Sequence, residues 1–118
     1  MEIEKPDYYP KGWGGEYWIA NSEKYCGKLL KFIKGKKCSF HSHKLKTENF
    51  FLQSGKMILR VSYHDELENA EVLILNPGDS FFVPPGLRHQ MEALEDSELF
   101  EFSTQHFESD SYRIVRGD

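Results

Sequence analysis

The sequence predicts an all-β domain, a sandwich or barrel of short antiparallel strands, and three observations carry that prediction. Met57, Leu59, Val61 and Tyr63 alternate with Ile58, Arg60 and Ser62, the period-two pattern of a half-buried strand. Short runs of this kind recur at spacings of roughly 8–12 residues, with Gly, Pro, Asn and Asp between them. No stretch carries an apolar stripe of helical period. At 118 residues the chain is long enough for one domain with a real core and too short for two.

From the N-terminus, Tyr8, Tyr9 and Pro10 are expected to form an arm that crosses to a second subunit, and Glu16 to Asn21 and Tyr25 to Ile33 are expected strands. Asn49-Phe50-Phe51-Leu52 reads as a further strand, joined to the 57–63 strand through a hairpin turn at Gln53-Ser54-Gly55-Lys56. Val72 to Leu75 is a short apolar run ended by Asn76-Pro77-Gly78-Asp79, whose Pro and Gly stand where a type II turn needs them. Ser80 to Val83 is stopped by Pro84-Pro85-Gly86. His89 to Leu94 and Glu98 to Thr104 follow, separated by the acidic turn Glu95-Asp96-Ser97. Residues 105–118 are polar and are expected to lie as a tail on the barrel or at its mouth. Trp13, Trp18, Phe51, Phe81, Phe82, Phe100 and Phe102 are assigned to the core or to a dimer interface. A homodimer is expected, because small barrels with exposed sheet edges commonly pair.

Composition narrows the function. Hydrophobic content of 39% with 14% aromatics is ordinary for a globular chain. A formal charge of −4, from 15 basic and 19 acidic residues, argues against a nucleic-acid partner. Lys34-Gly35-Lys36-Lys37 reads as a solvated turn. The N-terminus lacks the apolar core of a signal peptide, and no run of about 18 apolar residues predicts a membrane span. Cys26 and Cys38 lack C-x-x-C spacing and read as free thiols on neighbouring strands, which makes the cytoplasm the expected address.

Histidines stand at positions 41, 43, 64, 89 and 106. His41 and His43 are two apart, so in a strand both imidazoles leave the same face. Glu48 follows after a short loop, and His89 lies just past a Pro-Gly turn. Three neutral imidazoles and a carboxylate suit Zn, Fe, Mn, Ni or Co and leave open positions for water or substrate. His64, beside Asp65 and Glu66, reads as solvated. An H-x-H pair alone is more often two exposed histidines than a metal site. The frame around this pair decides the matter.

That frame resembles the cupin family. Gly35, five residues, His41-Ser42-His43, four residues, Glu48, six residues and Gly55 is similar to the first cupin motif (35–55). Gly78, five residues, Pro84-Pro85-Gly86, two residues and His89 is similar to the second (78–93), except that Ala93 stands where the family usually has Asn. The resemblance implies a single-domain jelly-roll, an antiparallel β-barrel filling residues 1–118. It also implies one divalent transition metal on His41, His43, Glu48 and His89.

A closer resemblance is to the cupin domain of type II mannose-6-phosphate isomerases. It rests on Lys11-Gly12-Trp13-Gly14-Gly15-Glu16, on Ser39 to Phe50, and on Glu108-Ser109-Asp110-Ser111-Tyr112-Arg113. His41 replaces a family Gln, Lys46 a family Arg, and Asn49 a family His. Lys for Arg keeps the charge and loses the bidentate fork. The resemblance implies metal-assisted proton transfer on a sugar or sugar phosphate, with Glu48, Glu101 and His106 as candidate bases. Lys46 and Arg113 would bind the substrate's anionic or hydroxyl-rich end. Two other readings stay open: a non-catalytic metal- or sugar-binding module, and a metal-dependent dioxygenase, which a greasy rather than polar pocket would favour.

Overall fold

The alternation at 57–63 becomes strand β6 (Met57–Ser62), with Met57, Leu59 and Val61 buried and the residues between them half-exposed. The other ten strands are β1 (Asp7–Lys11), β2 (Gly14–Asn21), β3 (Cys26–Phe32), β4 (Phe40–Ser42), β5 (Glu48–Ser54), β7 (Glu71–Leu75), β8 (Ser80–Val83), β9 (Arg88–Ala93), β10 (Ser97–Ser103) and β11 (Tyr112–Val115); β3, β5 and β10 alternate in the same way, whereas β1 is exposed throughout. The only helical pieces are single 3-10 turns at Leu67–Asn69 and Glu108–Asp110. The structure, a computed structural model, describes residues 1–118. None of its helices is long and apolar enough to cross a membrane.

The strands form two antiparallel sheets, ordered β1-β2-β3-β10-β5-β8 and β11-β4-β9-β6-β7. Their inner faces enclose the core. Phe50 and Leu52 of β5, Met57 and Leu59 of β6 and Leu99 of β10 have no exposed surface. Each such side chain stabilises the fold by about 1.5–3 kcal/mol through burial. Trp13 closes one end of this core by stacking on Phe32, with ring centroids 4.1 Å apart.

Turn chemistry holds the register. Gly78 takes φ +93° and Asp79 N–H donates to the Asn76 carbonyl at 3.0 Å, the type II turn expected from Pro77-Gly78. Gly55 takes φ +91° in the turn between β5 and β6, and a Cβ there would collide with Asp96 and Ser97; the turn is not the expected hairpin, because β5 and β6 lie in different sheets and do not pair.

Three further expectations need correction. The jelly-roll stands, but it is not a closed barrel, because no ladder joins the edge strands of one sheet to those of the other. The sheets meet at a corner, where the chain leaving β3 runs beside β9; Gly35 N–H donates to the Ala93 carbonyl at 2.8 Å and Cys38 N–H to that of Met91 at 3.0 Å. These backbone bonds also support the second motif's end, where Ala93 itself is buried. Tyr8, Tyr9 and Pro10 are not a free arm. They lie in β1, paired with β2 of the same chain, and Pro10 occupies an edge strand, which tolerates a missing N–H. Finally, the stretch read as a tail contains β11, which pairs with β4 and so becomes part of the sheet that carries the histidines.

Candidate metal centre

The short strand β4 places His41 directly opposite His89 of β9, with their rings 4.4 Å apart. His43 lies just beyond β4, its ring centroid 5.1 Å from that of His41 and 5.5 Å from that of His89. One ring nitrogen from each of the three histidines falls within 4.8 Å of the others.

Backbone carbonyls orient these rings. Nδ1 of His41 donates to the Ser39 carbonyl at 2.9 Å, that of His43 to the Asp110 carbonyl at 2.9 Å and that of His89 to the Leu87 carbonyl at 3.0 Å. A carbonyl only accepts, so each Nδ1 carries the proton and each Nε2 keeps a free lone pair. Burial keeps the rings neutral: the pKa falls to about 3 for His41 and His43 and to about 4 for His89, helped by the neighbouring imidazoles and Lys46 and opposed by Glu101. Ligating histidines are held in this fashion, by a second bond that fixes tautomer and direction.

Glu48, at the start of β5, reaches into the same space. Its Oε1 lies 3.3 Å from His43 Nε2 and 3.5 Å from His89 Nε2. Both carboxylate oxygens are buried without a hydrogen-bond partner. Such a group costs free energy wherever it is left alone, and burial with the nearby charge of Glu101 raises its pKa well above the usual carboxylate range. Three lone pairs and an orphaned carboxylate converging on one point fit a divalent cation.

A line of alternating charge runs from this cluster across the inner face of the six-stranded sheet. Lys46 Nζ lies 3.6 Å from Glu48 Oε2 and 3.4 Å from Glu101 Oε2, and bonds His106 Nδ1 at 2.9 Å. Lys28 Nζ lies 4.0 Å from Glu101 and 3.7 Å from Glu16, and sits 4.2 Å over the Trp18 ring. Burial alone would raise the pKa of Glu101, but Lys46 and Lys28 overcome it and hold the carboxyl far below the usual range. Burial opposes the charge on Lys46, yet Glu101 and Glu48 keep its pKa above the ordinary lysine value. His106 is held neutral by burial and by Lys46, and its Nε2 donates to Glu108 at 3.2 Å.

These groups line a cavity of about 330 Å³ between the sheets. The structure brings His41, His43, Glu101, His106, Lys46 and Arg113 to its wall, with His89 and Glu48 packed behind the first two. Glu101 points inward rather than to solvent, Lys46 is buried rather than a loop lysine, and His106 belongs to the cavity rather than to a tail. Arg113 is exposed at the rim, in register with His41. Cys38 also lines the cavity; burial pushes its thiol up to about 12, and it is a free cysteine like Cys26.

Reading the sequence missed Lys28, Glu16 and Asp110. Lys28 shares the inward phase of β3 with Cys26, Leu30 and Phe32, and a lysine on an apolar phase is the signal that marked it. Asp110 is buried and accepts backbone N–H bonds from Lys44, Leu45 and Lys46, so it clamps the loop between His43 and Glu48. Nothing in its local sequence announces that role.

The histidines predict a pH dependence for the metal-free protein. Unfolded, each imidazole titrates near the ordinary value of about 6.5, whereas the folded rings refuse a proton until about pH 3 to 4. Below about pH 6.5 the unfolded chain therefore binds protons that the folded chain does not, and stability falls through that window. His106, lowered in the same way, adds to this effect, and Glu48 works in the opposite direction. The urea midpoint is expected to drop between pH 7 and pH 4.5, and a flat profile would show that the rings accept protons in place.

The comparisons with known proteins follow this geometry. A family model described as a cupin domain matches residues 28–102, which hold all four converging side chains. No curated protein matches the sequence. Among solved structures, the chain is similar to KdgF from a Halomonas species, at 20% identity and a TM-score of 0.74 over 87% of this chain and 91% of that one. It is similar to an oxalate decarboxylase variant from Bacillus subtilis, at 18% identity and a TM-score of 0.79 over 92% of this chain and 30% of that one. The capsular polysaccharide assembling protein CapF from Staphylococcus aureus gives 16% identity and a TM-score of 0.80 over 96% of this chain and 33% of that one. The chain thus spans about a third of the last two, and at these identities the likeness shows the fold alone.

Proposed function

The chain belongs to the cupin domain family, and from that premise we propose that it is a metal-dependent, isomerase-like protein acting on a small sugar or sugar phosphate. The observation that carries the reading is the polar wall of the cavity beside the histidines. Only four of its 19 lining residues are hydrophobic, while Glu16, Lys28, Lys46, Glu101 and His106 converge on it. A polyhydroxylated substrate needs such donors and acceptors; an oxygenase for apolar aromatics needs the reverse. The capsular polysaccharide named for CapF is in keeping with sugar chemistry on this fold.

His41, His43, His89 and Glu48 would hold the metal. When bound, a divalent cation supplies Lewis-acid polarisation of the oxygens on two adjacent carbons of an open-chain sugar. Glu101 is the base this chain provides. Lys46 and Lys28 keep it ionised at the cost of basicity, and in this reading its carboxylate takes the proton from one of those carbons and returns it to the other. Lys46, engaged by Glu48, Glu101 and His106, holds that charge in place and is not free to grip a phosphate. Arg113 remains available to an anionic group at the rim. Elemental analysis followed by an aldose–ketose interconversion assay tests the reading. One metal per chain with metal-dependent turnover supports it, and bound metal without turnover on any sugar or sugar phosphate sinks it.

We further propose that two copies pair through the outer face of the six-stranded sheet. Tyr17, Leu29, Phe100 and Phe51 stand side by side across β2, β3, β10 and β5, and Phe82 and Phe102 flank them at 54% exposure each. Phe82 and Phe102 leave about 100 Å² each and the other four add partly exposed edges, so the patch would be the apolar centre of an interface whose standard size is roughly 800 Å² per partner. Sedimentation velocity is expected to show a dimer that Phe102→Glu dissociates, whereas a monomeric wild type would remove the proposal.

A further inference from the structure

Lys28 is buried to 4% exposure, yet its ammonium has no hydrogen-bond acceptor within the protein. Its nearest carboxylate oxygens, on Glu16 and Glu101, lie at 3.7 and 4.0 Å, close enough for attraction and too far for a hydrogen bond. The Trp18 ring at 4.2 Å props the side chain from beneath without satisfying any N–H. Lys46, the other buried lysine, differs: it bonds both Glu101 and His106. The side chain is buried but its ammonium opens onto the cavity, so three donors that the chain leaves unpaired are offered to an oxygen placed there.

The flanking groups decide which kind of oxygen. Lys28 has a carboxylate on either side, so a phosphate or carboxylate placed there meets Glu16 and Glu101 as well as the ammonium. A hydroxyl suits all three, because it accepts from the ammonium and donates to a carboxylate. Lys28 and Glu101 are direct cross-strand partners in β3 and β10, and Glu16 lies on β2 beside them, so the three present an acceptor–donor–acceptor row. Adjacent hydroxyls along an open carbon chain offer the complementary pattern.

We propose that Lys28, with Glu16 and Glu101 on either side, is the subsite that binds the neutral, hydroxyl-bearing part of the substrate. This rests on the sugar reading above and narrows it: the carbons beside the base carry hydroxyls, and any anionic group lies elsewhere on the molecule. The cavity of about 330 Å³ is at the small end of ligand pockets, which suits a single open-chain sugar.

The test is a titration of the metal-loaded protein with xylitol, an unreactive open-chain polyol, followed by calorimetry and by the fluorescence of Trp18 under Lys28. Wild type is expected to bind xylitol, and Lys28→Met to weaken binding by about tenfold or more while its metal content is unchanged. Inorganic phosphate is expected not to displace xylitol. Should Lys28→Met fail to fold, Glu16→Gln supplies the second variant, with a smaller loss expected. Unaltered xylitol binding in Lys28→Met, no binding in wild type, or displacement by phosphate that depends on Lys28 would each overturn the assignment. Xylitol binding that depends on Lys28 in a protein without aldose–ketose turnover would remove the isomerase reading and leave this subsite standing.

Discussion

Replacing His89 with alanine is expected to strip the protein of its metal. His89 is 1% exposed, directly opposite His41, and its Nε2 points at Glu48. Loss of a mere orienting partner in such sites costs about 10- to 100-fold in metal affinity, so loss of a ligand should exceed that range. The variant also leaves Glu48 with one imidazole fewer and a cavity where a ring was packed against Phe50. Metal per chain after gel filtration is the direct readout, with His64→Ala, an exposed histidine, as the control that should retain full loading. Full occupancy in the His89 variant would dismiss the ligand set.

The second large effect is expected at Glu101. Glu101→Gln keeps the shape of the side chain and removes the negative charge that accepts a proton. If Glu101 is the base, turnover should fall by about a hundred- to ten-thousand-fold while bound metal stays at its wild-type level. The split between loading and turnover separates this role from a ligand's. Lys46 and Lys28 then face an uncharged amide, so a modest loss of thermal stability should accompany the change. Retained turnover would move the proton transfer to His106 or Glu48, the other two candidates.

Most strands were legible because alternation is a local property. Met57 to Ser62 could be read from six consecutive letters, and so could the turn at Pro77-Gly78, since each is set by neighbours in the chain. The histidines and Glu48 were legible for a different reason: their spacing matches the two cupin motifs, whose glycines are visible in the sequence. What stayed hidden depends on pairing at a distance. Whether the edges of the two sheets meet, and whether Tyr112 to Val115 joins β4, is decided by contacts across some 70 residues that leave no local pattern. Lys28 lies between the two cases. Its phase in β3 was readable, but a lone inward lysine says nothing until Glu16 and Glu101 are seen beside it.

The clamp at Asp110 bears on when, as well as how, the centre is put together. Its carboxylate and carbonyl meet the 43–46 loop across 64 to 67 residues of chain, so the ring of His43 cannot be locked until the C-terminal strand has docked. Closing so long a loop is entropically costly and belongs late in folding. On a ribosome, His41, His43, Glu48 and His89 all emerge before Asp110 does. A growing chain therefore offers passing ions loose, separately mobile donors, and the rigid cage that can select among them exists only once synthesis has passed Asp110.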